Sequence, residues 1–358
     1  MSATCSNGPS PSDLTCQARL LQRVSRTFAL TIPQLPRRLR WPVTNAYLLC
    51  RIADTIEDEP ALSPARKQAF LDRLVQVVDG HEDATPFSRD LGALLSSSTT
   101  ENERDLVANC NRVIGITASL RSGQRAAIAR CLRIMSGGMM EFQQNPTPGG
   151  LKDLASLQRY CYYVAGVVGE MLTELFCDYS AAVDTQRKKL LALSVAYAQG
   201  LQMTNILKDL WEDKRRGVCW LPRDVFRKSG FELDRLSPGE ADPRFLKGFS
   251  EIVAVTRGQL WDGLRYVLLI PAHETGLRRY LLWSLGLSVL TLRSLYRKPS
   301  FRNGRNAKLS RWSVAALIVL TSVLARSDSA LKCLFTTVTR GMPGAARPQT
   351  VNSLQIER

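Results

Sequence analysis

Apolar residues recur three and four positions apart over long stretches of this chain, the period of a helix with one buried face. On that pattern helices are predicted over 13–30, 37–58, 64–79, 102–121, 124–144, 153–179, 185–213, 243–269, 275–297 and 309–326. Breakers fall between them at Pro33 and Pro36, Pro60, Pro146 to Gly150, Pro222, Pro238 and Pro299. Alternating strand patterns are scarce, and no Gly-rich strand-to-helix turn of the G-x-G-x-x-G kind occurs. No middle linker is long or polar enough to separate two cores. The expectation is one all-α domain over 13–338, between flexible tails at 1–12 and 339–358.

The first tail lacks the apolar run of a secretory signal. Two late uncharged stretches, Leu281–Leu292 and Trp312–Ala325, fall short of the roughly 18–20 residues that a membrane span needs. They read as core helices. Across 358 residues, 45% are hydrophobic and 22% charged, which excludes wholesale disorder and a multi-span membrane protein. Lys and Arg outnumber Asp and Glu by 48 to 32, a net charge of +16 that favours an anionic partner. With only His81 and His273, a two-histidine zinc helix is excluded. The nine cysteines include no C-x-x-C pair, so a reduced, cytoplasmic protein without a disulfide framework is expected.

Two acidic segments carry the candidate chemistry. In Arg51-Ile-Ala-Asp54-Thr-Ile-Glu57-Asp58 the two aspartates lie four apart and share one helical face. Crowded carboxylates repel unless a cation sits among them. Taken alone, such a pair usually just faces solvent. The device recurs in Gln202-Met-Thr-Asn205-Ile-Leu-Lys208-Asp209-Leu-Trp-Glu212-Asp213, with Asn205 one turn before Asp209. Mg²⁺ takes one or two carboxylates plus substrate phosphates, so the duplicated spacing suits a diphosphate held through Mg²⁺. A third segment, Tyr160-Cys-Tyr-Tyr-Val-Ala-Gly166-Val-Val-Gly169, places two glycines in a helix at a cost of about 1 kcal/mol each. Close approach of a ligand and tight helix packing explain them equally well.

With these segments the chain resembles the squalene/phytoene synthase family from about Ser25 to Arg311. The markers are Ser25-Arg26-Thr27-Phe28, Tyr47-x-x-x-Arg51-x-x-Asp54-x-x-x-Asp58, Tyr160-Cys-x-x-Val-Ala-Gly-x-x-Gly169, and Gln202-x-x-Asn205-x-x-Lys208-Asp209-x-x-x-Asp213. The resemblance implies the all-α isoprenoid synthase fold, with a central apolar cavity between two facing aspartate helices. Within the family, Tyr160-Cys-Tyr-Tyr-Val-Ala-Gly, the Ile270-Pro271 break and Ala307-Lys308-Leu-Ser-Arg311 lean towards the squalene-forming branch. That branch joins two farnesyl diphosphates to presqualene diphosphate and reduces it to squalene with NADPH. The alternatives are phytoene, dehydrosqualene, or presqualene diphosphate without reduction.

The resemblance also implies roles. Asp54, Asp58, Asp209 and Asp213 would hold Mg²⁺, helped by Asn205. Ser25, Arg26, Arg51, Gln202, Asn205 and Lys208 would bind substrate. Tyr160 would orient the allylic cation and accept or relay the proton lost on cyclopropane formation, with Tyr47 and Arg51 in support. Two departures touch the diphosphate and cofactor end of the pocket. Lys208 stands where the family has Arg, which loses the planar two-point fork. Val218 occupies the position of a common Arg four residues before Pro222.

Ten Lys or Arg and no acidic residue lie between Glu274 and Asp328. Such a run is usually a solvated face. Lys308 and Arg311 are the candidates for NADPH phosphates, which without a Rossmann fingerprint must bind in some other way. The same segment could rest peripherally on an anionic membrane. No nucleic-acid motif accompanies the charge, so nucleic acid is not an expected partner. A non-catalytic scaffold on this fold would have no need of four aspartates.

Overall fold

N-capping side chains set where many of the helices begin. Ser10 accepts from the Asp13 N–H, Ser25 from Phe28, Asp153 from Ser156 and Ser310 from Ser313. Thr100 and Glu103 form a reciprocal capping box. The computed structural model describes residues 8–143, 148–304 and 308–344. Its helices run α1 Pro11–Val24, α2 Arg26–Thr31, α3 Arg37–Asp58, α4 Pro64–Asp79, α5 Ala84–Leu94, α6 Glu101–Ala108, α7 Cys110–Ala118 and α8 Ser122–Gln143. They continue with α9 Leu154–Cys161, α10 Val167–Tyr179, α11 Ala181–Asp184, α12 Arg187–Arg215, α13 Arg223–Lys228, α14 Pro243–Leu269, α15 Thr275–Arg297, α16 Arg311–Leu324 and α17 Asp328–Val338.

No strand is formed among the described residues; one isolated bridge joins Leu151 to Pro222. The fold is all-α, as the apolar period predicts. Four predicted helices keep their bounds: 37–58, 64–79, 243–269 and 275–297. Others are interrupted. The 13–30 segment divides at Ser25, which ends α1 and caps α2. The 102–121 segment divides at Asn109, and 153–179 contains a π-turn over Tyr162–Gly166. Helices α5, α11, α13 and α17 escape the pattern because each is short, and Pro86 and Gly92 punctuate α5.

The predicted tails also need adjustment. Helix α1 starts at Pro11, inside the stretch assigned to the first tail, and residues 1–7 lie outside the described residues. Arg257 donates to the carbonyls of Met342 and Pro343, which ties down the start of the second tail. Its remainder, 345–358, lies outside the described residues. Eight cysteines are described, all as free thiols, and seven of them are buried.

The helices group into two compact units. The first takes residues within 1–145, 163–192 and 269–281, and the second takes 146–162, 193–268 and 282–358. In the first unit α3 is the organising helix and packs against α1, α4, α6, α7, α8 and α10. Its buried side chains Leu39, Val43, Ala46, Leu49, Ala53 and Ile56 recur at three and four. A buried polar relay crosses it: Gln17 donates to Asn45 Oδ1, and Asn45 donates to Thr117 Oγ1 at 2.7 Å.

Its C-terminal end is fixed by Glu59, which is 1% exposed. Burial alone would push this carboxyl up. Hydrogen bonds from Ser96, Thr99 and the Ala61 N–H outweigh that and hold it down at about 2. The stability it contributes is therefore complete above its ordinary value of 4.5 and lost as pH falls towards 2. Glu59→Gln is expected to lower unfolding stability by about 1–3 kcal/mol at neutral pH. Urea denaturation should also show the gap between variant and wild type closing as pH falls through that window.

In the second unit α12 and α14 approach closely at Gly200. A Cβ there would lie 3.0 Å from Leu260 Cδ2 and 3.1 Å from the Leu260 backbone nitrogen. Phe226, Phe231, Phe245, Phe249 and Phe301 form an aromatic cluster that reaches Trp211 on α12.

Candidate active site

The predicted residues of the first unit gather at the end of α3. Arg51 forms an ion pair with Glu103 and lies 3.7 Å from Asp54. Glu103 is itself fixed, accepting from the Thr100 hydroxyl at 2.7 Å and the Thr100 N–H at 3.0 Å. The capping box of α6 therefore anchors the guanidinium. Arg51 Nε is buried without a hydrogen-bond partner among the described residues, a donor left over for a ligand oxygen. Asp54 has a side chain 38% exposed, yet burial pushes its carboxyl up to about 6 against the pull of Arg51, with Asp58 adding to the rise. This is a carboxylate in a recess beside a like charge, a place that a cation would relieve. Asp58, one turn on, is exposed.

Tyr47 and Ser25 extend this group. The Tyr47 ring lies 4.6 Å from that of Phe28, and its hydroxyl donates weakly to the Val24 carbonyl at 3.5 Å. Burial raises the Tyr47 pKa, opposed by a hydrogen bond with Ser25 and by Arg51, so the phenol stays protonated. Arg26 is exposed and has no ion pair among the described residues.

The second unit holds the other predicted residues. Tyr160 is 7% exposed and stacks on Trp220, with centroids 3.8 Å apart and planes at 9°. On α12, Gln202 is half-buried and Asn205 exposed. Lys208 Nζ donates to Asn205 Oδ1 at 3.4 Å and lies 3.2 Å from Asp209 Oδ2. Burial raises the Asp209 carboxyl and Lys208 opposes the rise. The ammonium thus sits between two proposed ligands as a mobile counter-charge, where an arginine would present a fixed fork.

Glu212 Oε1 accepts from the Gly304 N–H at 3.4 Å, while its Oε2 is buried without a partner among the described residues. Trp211 Nε1 donates to the Phe301 carbonyl at 2.7 Å. The segment Phe301–Gly304 is therefore seated on the second acidic motif. Asp213 is half-buried. Lys308 and Arg311 are exposed and without ion pairs among the described residues. Ala307, part of the quoted marker, lies outside the described residues.

Sequence reasoning missed Glu103, Trp220 and Gly304, all of which act through contacts distant along the chain. Only Glu103 had a local signal, the T-x-x-E spacing of its capping box. Gly166 and Gly169 are both buried. A clear steric reason belongs to another glycine: a Cβ on Gly138 would lie 2.0 Å from Tyr163 Cγ.

Carboxylate oxygens suit a hard divalent cation. No group of three or more His, Cys, Asp or Glu among the described residues could hold a metal ion by itself. The donor set fits an ion whose coordination is completed by substrate phosphate. An apolar cavity of about 250 Å³ in the second unit is lined by α14, α15, α16 and α17, and none of the four aspartates lines it.

Residues 21–313 match the squalene/phytoene synthase family model. The chain is 28% identical to squalene synthase clz20 of Cochliobolus lunatus over 86% of its own length and 71% of that relative's. A solved complex of TcSQS with the ligand E5700 superposes with a TM-score of 0.69 at 22% identity, covering 94% of each chain. A dehydrosqualene synthase superposes with a TM-score of 0.60 at 18% identity, covering 91% of this chain and 97% of that one. With that match spanning all three motif segments, the chain belongs to the squalene/phytoene synthase family.

Proposed function

We propose that this prenyltransferase joins two farnesyl diphosphates head to head into presqualene diphosphate and reduces that product to squalene with NADPH. The observation that carries the reading is the end of α3. There an anchored guanidinium with an unpartnered Nε–H stands 3.7 Å from a recessed carboxylate, followed one turn later by a second. Cleaving an allylic diphosphate needs the leaving group's charge neutralised, and this arrangement supplies both partners of that task.

Asp54, Asp58, Asp209 and Asp213, with Asn205, would hold Mg²⁺, which supplies charge neutralisation at the diphosphate when bound. Arg51 grips a diphosphate oxygen through its free Nε–H, and Arg26 and Ser25 add a charge and a hydroxyl. Gln202 and Lys208 bind the second diphosphate, with the Lys208 ammonium turning from Asp209 to phosphate. Tyr160, held flat against Trp220, orients the allylic cation and relays the proton lost on ring closure, its hydroxyl passing its own proton to the released diphosphate as it takes up the new one. Tyr47 keeps its own proton and lends a hydrogen bond. Lys308 and Arg311, exposed cations without ion pairs among the described residues, fit the phosphates of NADPH, which supplies the hydride. A peripheral contact with an anionic membrane accompanies the reading, because a C30 hydrocarbon product is too apolar for water.

The test is product analysis after incubation of the purified chain with farnesyl diphosphate and Mg²⁺, with and without NADPH. Presqualene diphosphate alone and squalene only with NADPH support the reading. Dehydrosqualene in both tubes would remove the reductive half, and no C30 product would remove the whole.

A further inference from the structure

A cavity of about 480 Å³ opens in the first unit among α5, α6 and α7. None of the residues assigned to the condensation lines it, and its volume falls in the range of small-molecule sites. Thr85, Ser88, Arg89, Arg104 and Asn111 supply its polar lining, and no carboxylate among the described residues joins them. Gly92, Leu95 and Ala108 complete it as an apolar wall. A Cβ on Gly92 would meet nothing within 4 Å, so the space above that turn of α5 is open.

The donors of this lining are only partly used. Arg104 Nη2 donates to the Leu95 carbonyl at 3.1 Å and also to the Ser96 carbonyl, which fixes the guanidinium against the end of α5. Its Nε and Nη1 have no partner among the described residues. Arg89 Nε and Nη2 share Asp90 Oδ1 at 3.2 and 3.1 Å, which leaves Nη1. Asn111 Oδ1 accepts from the Arg112 N–H at 2.9 Å, and its amide nitrogen stays available. The three side chains come from three helices and carry more unused N–H groups than a two-oxygen carboxylate can take up. A phosphoryl group, with three acceptor oxygens and a double negative charge, matches such a set.

The geometry points to this cavity as a second anion site, built for a small organic phosphate. The phosphoryl group lies between Arg89 and Arg104 within reach of Asn111, and the organic part rests on Leu95 and Ala108. The site is separate from the condensation and needs no divalent metal, because its counter-charges are the two guanidiniums.

The test is amide hydrogen exchange of the full chain with divalent metal chelated, using inorganic phosphate and phenyl phosphate against sodium chloride at matched ionic strength. Both phosphates are expected to slow exchange in α5 and α6 about threefold or more, and sodium chloride to leave it unchanged. Phenyl phosphate should half-saturate at about fivefold lower concentration, the gain from covering the apolar wall. Arg89→Gln should weaken both phosphates about tenfold. Gly92→Gln fills the open space with a better helix former and should weaken them as much. Lys332→Gln, an exposed cation removed from α17, should behave like wild type. Circular dichroism should be the same for all four proteins. Slowing that survives in both Arg89→Gln and Gly92→Gln would overturn the proposal, as would equal slowing by sodium chloride or equal half-saturation by the two phosphates. A loss in Lys332→Gln as large as in Arg89→Gln would overturn it too, since net charge alone would then explain the binding. Turnover of farnesyl diphosphate by Arg89→Gln and Gly92→Gln, without added phosphate, should match wild type, so this site and the condensation are read separately.

Discussion

Asp54→Asn is expected to lower kcat for farnesyl diphosphate consumption about 10²–10³-fold, the scale seen when one preorganised charge-stabilising group is removed. The substitution keeps shape and removes charge. It leaves α3 intact, because Asp54 lies on the half-exposed side of a helix whose opposite side is buried. It also removes a carboxylate that burial holds at about 6, so the fold should lose nothing and gain slightly. Urea denaturation and circular dichroism should therefore match wild type while turnover collapses. A variant that unfolds early would assign Asp54 a structural role. A variant with wild-type turnover would separate it from the chemistry.

The second large effect concerns adjacent glycines in α8. Gly138→Ala is expected to destabilise the protein by about 1–3 kcal/mol, the usual range for overpacking a tight core. Its Cβ would meet Tyr163 Cγ at 2.0 Å and Cβ at 2.4 Å, the stem of the ring, which no rotamer can move aside. Tyr163 cannot easily shift its backbone either, since it lies in the π-turn Tyr162–Gly166. Gly137→Ala meets nothing within 4 Å and should stabilise by about 0.5–1 kcal/mol through helix propensity alone. Urea midpoints that move in opposite directions for the two variants support this packing. Equal shifts would contradict it.

Much of this was legible in the sequence where the signal was local. Helix α3 could be bounded from Pro36 and Pro60 and from its buried period, and the aspartates four apart follow from 3.6 residues per turn. The interruptions were not legible. Ser25 serves as the end of one helix and the cap of the next, and the π-turn at Tyr162–Gly166 adds one residue to a helical pattern that otherwise runs on. Contacts distant in sequence were equally hidden. Trp220 lies 60 positions from Tyr160, and Gly304 lies 92 from Glu212. Neither pair shares a period or a motif that would relate them. Glu103 is the intermediate case, because its capping box was readable although its grip on Arg51 was not.

An exposed stripe on α16 shows the limit of the apolar pattern as a guide. Residues 312–325 read as a core helix from hydropathy, yet Trp312 and Val323 are among its most exposed side chains. Periodicity reports that a helix has an apolar side and does not say what covers it.

The central claim is that this chain uses its acidic motifs to take diphosphate from paired farnesyl diphosphates. Inorganic diphosphate release measured against farnesyl diphosphate consumed, with Mg²⁺ and without NADPH, tests it most directly. One diphosphate for each two substrates, abolished by a chelator, is the predicted result. Release that persists without divalent metal, or release with no C30 product formed, would contradict it.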